Sequence, residues 1–474
     1  MSRNSEKLFM IKFTRSVQIF RVVLFTSLTV LVAPAVFSAD PPPASPPGLP
    51  ANRYTMVRCG TLLAVPGQPP KSAQTIVIKN GIIDSIRDGF DGPDVSNEKV
   101  APIVDEIDLR DQYVLPGLID CHVHLTMEFD AGLRMRDMVE SDGLHALRAS
   151  QYARRNLDAG FTTVRDLGTG RASVIFDLRD AIKAGMVTGP RVVAAGHAIS
   201  ITGGHGDGTT GFREGLFPDR TPESGIADGP DECRKAVRNQ IKLGADVIKV
   251  TATGGVLSAA SAGLAQQYFD DELEAIVATA HSLQRKVAAH AHGVDGINAA
   301  IKAGVDSVEH GTYLDDDSIA LFKGRNCYHV PTLLATATVS RNADIPGFYL
   351  PQVAQKARAV APHAMEMFRK SHEAGVKIAF GTDTGVSPHG QNAREFALMV
   401  RGGMTPTEAM RSATVVAAEL LGLEKEIGTI EPGKAGDLVA TAGDPTQDIT
   451  QLERITCVVK GGVPVRLPLP PARN

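Results

Sequence analysis

Residues 115–125, Leu115-Pro116-Gly117-Leu118-Ile119-Asp120-Cys121-His122-Val123-His124-Leu125, form an apolar run that ends in two histidines two positions apart. Side chains alternate across a β-strand, so His122 and His124 share one face and Val123 takes the other. Two imidazoles at a strand end are half of a metal site. Cys121, between apolar neighbours, reads as a buried thiol rather than a ligand.

Downstream, short β-branched runs alternate with amphipathic stretches. The strand candidates are 118–125, 162–167, 191–195, 246–251, 286–291, 307–309, 329–333 and 377–380. Helical patterning covers 143–159, 231–243, 271–284 and 294–302, with Gly160, Gly244, Gly304 and Gly375 placed as helix stops. Eight strands, each followed by a helix, predict an α/β fold of the (β/α)₈ TIM-barrel type. A doubly wound sheet is the alternative, but no glycine-rich dinucleotide fingerprint follows the first strand. Residues 202–228, 254–267 and 334–350 read as long loops over the end of the barrel where active sites are built.

The flanks differ. Residues 53–113 are short strands and turns, with Asn80-Gly81 as a hairpin signal between two apolar runs. Residues 425–468 have the same character, with Gly461-Gly462 as the turn. The two ends therefore predict one small β-sandwich, contributed by 53–113 and 425–468 together and interrupted by a catalytic barrel at 114–424. Residues 1–39 carry Arg3, Lys7, Lys12, Arg15 and Arg21 ahead of a mostly apolar run at 22–36, then Ser38 and Ala39. That is a secretory signal peptide, followed by a Pro-rich linker at 40–52. The expectation is export to the periplasm or medium without stable membrane contact, or membrane anchoring if the segment is not cleaved. Five scattered cysteines make no disulfide framework, although one bridge is compatible with an oxidising compartment. A net charge of −4 without a basic run excludes a nucleic-acid-binding face.

Ionisable residues recur at the ends of the apolar strands: Lys249 in Val247-Ile248-Lys249-Val250, His290 and His292 in Ala289-His290-Ala291-His292, Glu309 and His310 in Val308-Glu309-His310-Gly311, and Asp383 in Gly381-Thr382-Asp383-Thr384. Buried groups of this kind must be paired or bound to metal. The alternative for Lys249 is an ion pair with Asp383 or Glu309. His292 reads as a catalytic residue polarising the scissile carbonyl, or as a supporting hydrogen bonder. His205, in Gly203-Gly204-His205-Gly206, is a candidate contact for a substrate carboxylate, with Tyr268 and His329 as further substrate-binding candidates. Glu309 is placed to orient the ligand that follows it.

Together PGLIDCHVHL, ADVIKVTATGG, AAHAHG, SVEHGT, FGTDTG and GTIEPGKAGDL resemble the amidohydrolase superfamily over residues 53–468. Within it, the chain looks like the prolidase-like metal-dependent dipeptidases and N-acyl amino-acid carboxypeptidases, a group that ochratoxin-hydrolysing amidohydrolases also resemble. The resemblance implies two divalent metal ions, most simply Zn²⁺, with His122, His124 and Asp383 on one and His290 and His310 on the other. It implies a bridging Lys249 carboxylated by CO₂, and Asp383 as general base and then acid while a hydroxide shared by the metals attacks the carbonyl. It further implies a small-molecule or dipeptide substrate with a free carboxylate, ochratoxin A included, and a homo-oligomer. A cyclic amide or imide hydrolase on the same scaffold, or a non-catalytic scaffold homologue, are the competing readings.

Overall fold

The computed structural model describes residues 51–468 apart from Asp94, Ala131 and 260–262. The signal peptide and most of the linker expected at the N-terminus lie outside the described residues. What is described is an α/β fold with fourteen strands in three sheets.

One sheet takes strands from both ends of the chain. Its strands are β1 (Arg53–Leu62), β2 (Lys71–Lys79), β3 (Ile82–Asp88), β4 (Ile103–Pro116), β12 (Leu438–Thr441), β13 (Cys457–Lys460) and β14 (Val463–Arg466). Their order is β14-β13-β12-β4-β1-β2-β3. The hairpin forms where Asn80-Gly81 placed it, with φ of 50° and 86°, which fits a two-residue turn of the primed type. The segments expected to make a small β-sandwich carry one hydrogen-bonded sheet that curls on itself. Ile83, on the edge strand β3, donates to the Lys434 carbonyl at 2.8 Å, and Gly433 donates back to the Ile83 carbonyl at 2.8 Å. The curl encloses Val57, Ile76, Ile78, Leu109, Leu438 and Val459 in one apolar cluster. A bulge between Cys59 and Thr61 assists it.

The inserted segment carries the parallel strands. β5 (Leu118–Val123), β6 (Phe161–Asp166) and β7 (Arg191–Ala194) form one sheet. β8 (Val247–Thr251), β9 (Lys286–Ala291), β10 (Ser307–His310) and β11 (Tyr328–Val330) form the other. Gly117 alone separates β4 from β5. A Cβ there would lie 2.2 Å from the Thr162 hydroxyl oxygen, so no larger residue fits the step between the sheets. Single parallel bridges join the sheets: Ile199 with Val250, His329 with Ile378, and Val123 with Thr384. The strand expected at 377–380 is reduced to the bridge at Ile378. Its Phe380 carbonyl accepts from Cys121 of β5, while the Ser412 and Ala413 carbonyls, at the end of the helix Pro406–Ser412, accept from Phe380 and Ile119.

Helices fill the returns. Pro230–Leu243 shows why: Pro230 opens it, Asp231 and Glu232 sit in the first turn, Lys242 in the last, and Gly244 closes it at φ 112°. Its buried face is Cys233, Ala236, Val237 and Gln240, a helical spacing. The stretch 334–350, expected as a loop, is corrected: it opens with the helix Leu333–Asn342. No described helix is long and apolar enough to cross a membrane. All five cysteines are free and buried, so the possible disulfide does not form.

Candidate metal centre

β5, β8, β9, β10 and the 381–384 turn end around one cavity of about 410 Å³. His122, His124 and Asp383 form one donor cluster; His290, His292 and His310 form a second. Within each, the donor atoms lie within 4.8 Å of one another. The clusters adjoin, with the His122 and His310 rings 5.3 Å apart. The structure thus brings together every metal-binding residue expected from the sequence and adds His292.

Four imidazoles are held from behind. His122 Nδ1 lies 2.9 Å from Glu309 Oε2, and His124 Nδ1 lies 2.7 Å from the Gly168 carbonyl. His292 Nδ1 and His310 Nδ1 each lie 2.7 Å from a threonine hydroxyl, on Thr312 and Thr332. The Thr332 hydroxyl donates to the Pro331 carbonyl, so it accepts from His310. Each contact leaves Nε2 for the cavity, the arrangement that metal-binding histidines use. Burial, with Lys249 nearby, lowers the His122 pKa to about 4 and also lowers those of His290 and His310. Neutral imidazoles with free lone pairs are what a metal requires. His124 is the exception: burial opposes its charge, but Asp383 Oδ1 at 3.1 Å raises its pKa.

Lys249 is 4% exposed, and its Nζ has no hydrogen-bond partner. The ion pair held open for it is not made. Burial lowers its pKa to about 8, against the pull of Glu309 and Asp383. His290 Nε2 is likewise buried and unpartnered. An unpaired amine, an unpaired imidazole nitrogen and a nearby carboxylate facing one cavity are the donors a cation would satisfy. Backbone strain collects at the same place. His310, Thr332 and Asp383 sit at φ 74°, 49° and 54°, a region L-residues avoid.

Glu309 orients His122, not the His310 that follows it, which corrects the sequence reading. Its other oxygen accepts from Arg165 at 3.0 Å. Arg165 also donates to the Cys121 carbonyl and to Ser307. Burial opposes the Glu309 charge, but the Arg165 guanidinium overrides it and holds the carboxyl near 2. Asp120 ties β5 to the 381–384 turn, accepting from the backbone of His122 and Thr382, the Thr382 hydroxyl and Asn392.

The substrate-binding candidates separate. His205 lines the cavity, its ring 4.2 Å from that of His290. A Cβ on Gly255 would meet that ring at 2.2 Å, so glycine lets the loop close over it. Tyr268 is corrected: it belongs to the apolar core, and its hydroxyl donates to the Ala227 carbonyl at 3.3 Å. His329 is corrected too. It lies behind β10, donating from Nε2 to the His310 carbonyl at 3.0 Å, and does not line the cavity. The sequence reading missed Arg165, Thr312 and Thr332. The visible signal for Arg165 was a charge inside the apolar run Phe161-Thr162-Thr163-Val164-Arg165.

Residues 113–465 match the pattern of the amidohydrolase family. The chain belongs to that family. Ochratoxinase from Aspergillus niger is 34% identical over 432 residues, covering 86% of each chain. The crystal structure of a Xaa-Pro dipeptidase with bound methionine in the active site superposes with a TM-score of 0.82 at 42% identity, over 87% of this chain and 99% of the other. The A. niger ochratoxinase structure gives 0.75 at 30% identity, over 88% and 96%. This amidohydrolase is a metal-dependent hydrolase of amide bonds.

Proposed function

We propose that this amidohydrolase is an exported hydrolase of dipeptides or N-acyl amino acids that works with two metal ions, its parallel strands closing as a (β/α)₈ barrel. The bridges at Ile199–Val250, His329–Ile378 and Val123–Thr384 support the closure. The observation that carries the chemistry is the pair of three-donor clusters beside the unpartnered Lys249. His122, His124 and Asp383 would hold one divalent ion, and His290 and His310 the other; nitrogen and oxygen donors suit Zn²⁺. When bound, the ions supply Lewis acidity at a carbonyl oxygen and lower the pKa of water.

The neutral amine of Lys249 would form an N–C bond to CO₂ with loss of a proton, and the resulting carbamate would supply two anionic oxygen donors. The lowered pKa of Lys249 supplies the neutral amine. Asp383 takes the proton of the attacking water and delivers it to the leaving nitrogen. His292 would accept the Thr312 hydroxyl hydrogen at Nδ1, carry its own proton on Nε2 and donate it to the carbonyl oxygen. The likeness to an ochratoxinase and a Xaa-Pro dipeptidase supports an amide whose amino-acid half carries a free carboxylate. The basic and apolar order of residues 1–39 supports export.

Three measurements test this. Elemental analysis should find about two zinc ions per chain; one or none after reconstitution overturns the two-metal site. A screen of dipeptides, N-acyl amino acids, ochratoxin A and cyclic amides should show cleavage of α-carboxylate substrates. Cleavage of cyclic amides alone overturns the substrate assignment. Asp383→Asn should lose about a thousandfold or more in kcat while metal is largely retained.

A further inference from the structure

Two lysine or arginine residues line the cavity, Lys249 and Arg220. Lys249 lies among the metal-site donors. Arg220 sits on the long loop after β7, exposed to the cavity mouth. Among the described residues, no hydrogen bond or ion pair engages its guanidinium. Its electrostatic neighbours are His197 and Asp207. Asp207 is already committed, one oxygen accepting from Gly203 and the other from Thr209.

The chain around Arg220 is fixed while its head is free. Thr221 and Ser224 cap each other across the short turn Pro222–Ser224, and Ile226 bridges to Ser200. Thr202 donates twice to Asp228, closing the base of the loop. The loop thus holds one arginine at the rim by its backbone and leaves five N–H donors unused.

Asp137, His197, Thr169 and Thr336 add polar groups to the lining, and one wall is apolar. Met127, Leu257, Val339, Val360 and Val386 line it and pack as one cluster. A carboxylate entering such a space loses its water and needs a counter-charge with matching geometry. His205, the sequence candidate for that role, is stacked on His290 deep in the cavity.

We propose that Arg220 is the specificity residue that receives the substrate carboxylate, selecting amides in which one half is anionic and the other fills the apolar wall. This rests on the amide-hydrolase reading of the same cavity. Arg220 touches the α-carboxylate and not the scissile carbonyl or the leaving nitrogen, so its loss weakens binding rather than chemistry.

The test compares N-benzoyl-L-phenylalanine with N-benzoyl-L-phenylalaninamide, following benzoate release by metal-loaded wild type, Arg220→Met and Arg220→Lys. Arg220→Met should raise KM for the acid about tenfold or more, with kcat within about twofold. The uncharged amide should show no such rise, and Arg220→Lys should recover part of the loss for the acid. An equal effect on acid and amide, or none on either, overturns the role of Arg220 and leaves the hydrolase reading intact. Calorimetric binding of L-phenylalanine against L-phenylalaninamide keeps the two readings apart. If wild type cleaves neither substrate, an Arg220-dependent preference for the acid still upholds the proposal, and equal binding overturns it.

Discussion

At the scale of residues, the donors were legible and their supports were not. His122, His124, Lys249, His290, His310 and Asp383 stand out because each interrupts an apolar strand end, where an unpaired polar group is costly. The link from Arg165 through Glu309 to His122 spans residues 144 and 187 positions apart, and no local spacing announces it. Arg165 is 1% exposed and Glu309 is fully buried, so removing the guanidinium leaves a lone charge behind His122, a candidate metal donor. Arg165→Met should weaken zinc binding by about 10- to 100-fold, read by competition with a chromophoric chelator. The double variant Arg165→Met with Glu309→Gln should recover stability but not affinity. Unchanged affinity in the single variant would show that the link carries no strain to His122.

At the scale of elements, strand and helix types followed the hydrophobic periods, and the errors fell where tertiary contacts decide. The helix Leu333–Asn342 contains Thr336, Thr338 and Val339, poor local helix formers, and its start at Thr332 is left-handed at φ 49°. A distant carboxylate completes it. Glu395, on the helix Arg394–Arg401, accepts from the Leu333 and Leu334 backbone N–H groups at 2.9 and 2.6 Å. Burial pushes the Glu395 pKa up to about 8 against those hydrogen bonds. A carboxyl raised in the folded state stabilises it below the ordinary carboxyl range, and that stability is lost as pH rises toward about 8. Wild type should therefore lose thermal stability between pH 5 and 8 more steeply than Glu395→Gln, measured by circular dichroism. Parallel curves would remove Glu395 as the source.

At the scale of the whole molecule, strands from both ends of the chain share one sheet. The curl of that sheet was not legible, because the contacts that close it are backbone hydrogen bonds at Ile83 and Gly433. Metal and fold should be coupled, since the donors come from strands in both parallel sheets and from the turn that bridges them. Chelation should lower Tm by several degrees, and re-addition of zinc should restore it. An unchanged Tm would mean that the donor clusters are held by the protein alone. The curled sheet also sets an order of events in the living cell. Thr55 donates its hydroxyl hydrogen to the Gly462 carbonyl, 407 residues further along. At ribosomal speed that acceptor arrives about 20 to 80 s later. The first four strands can pair among themselves, but the curl that covers their apolar face must wait, open to a chaperone, until nearly the last strands emerge.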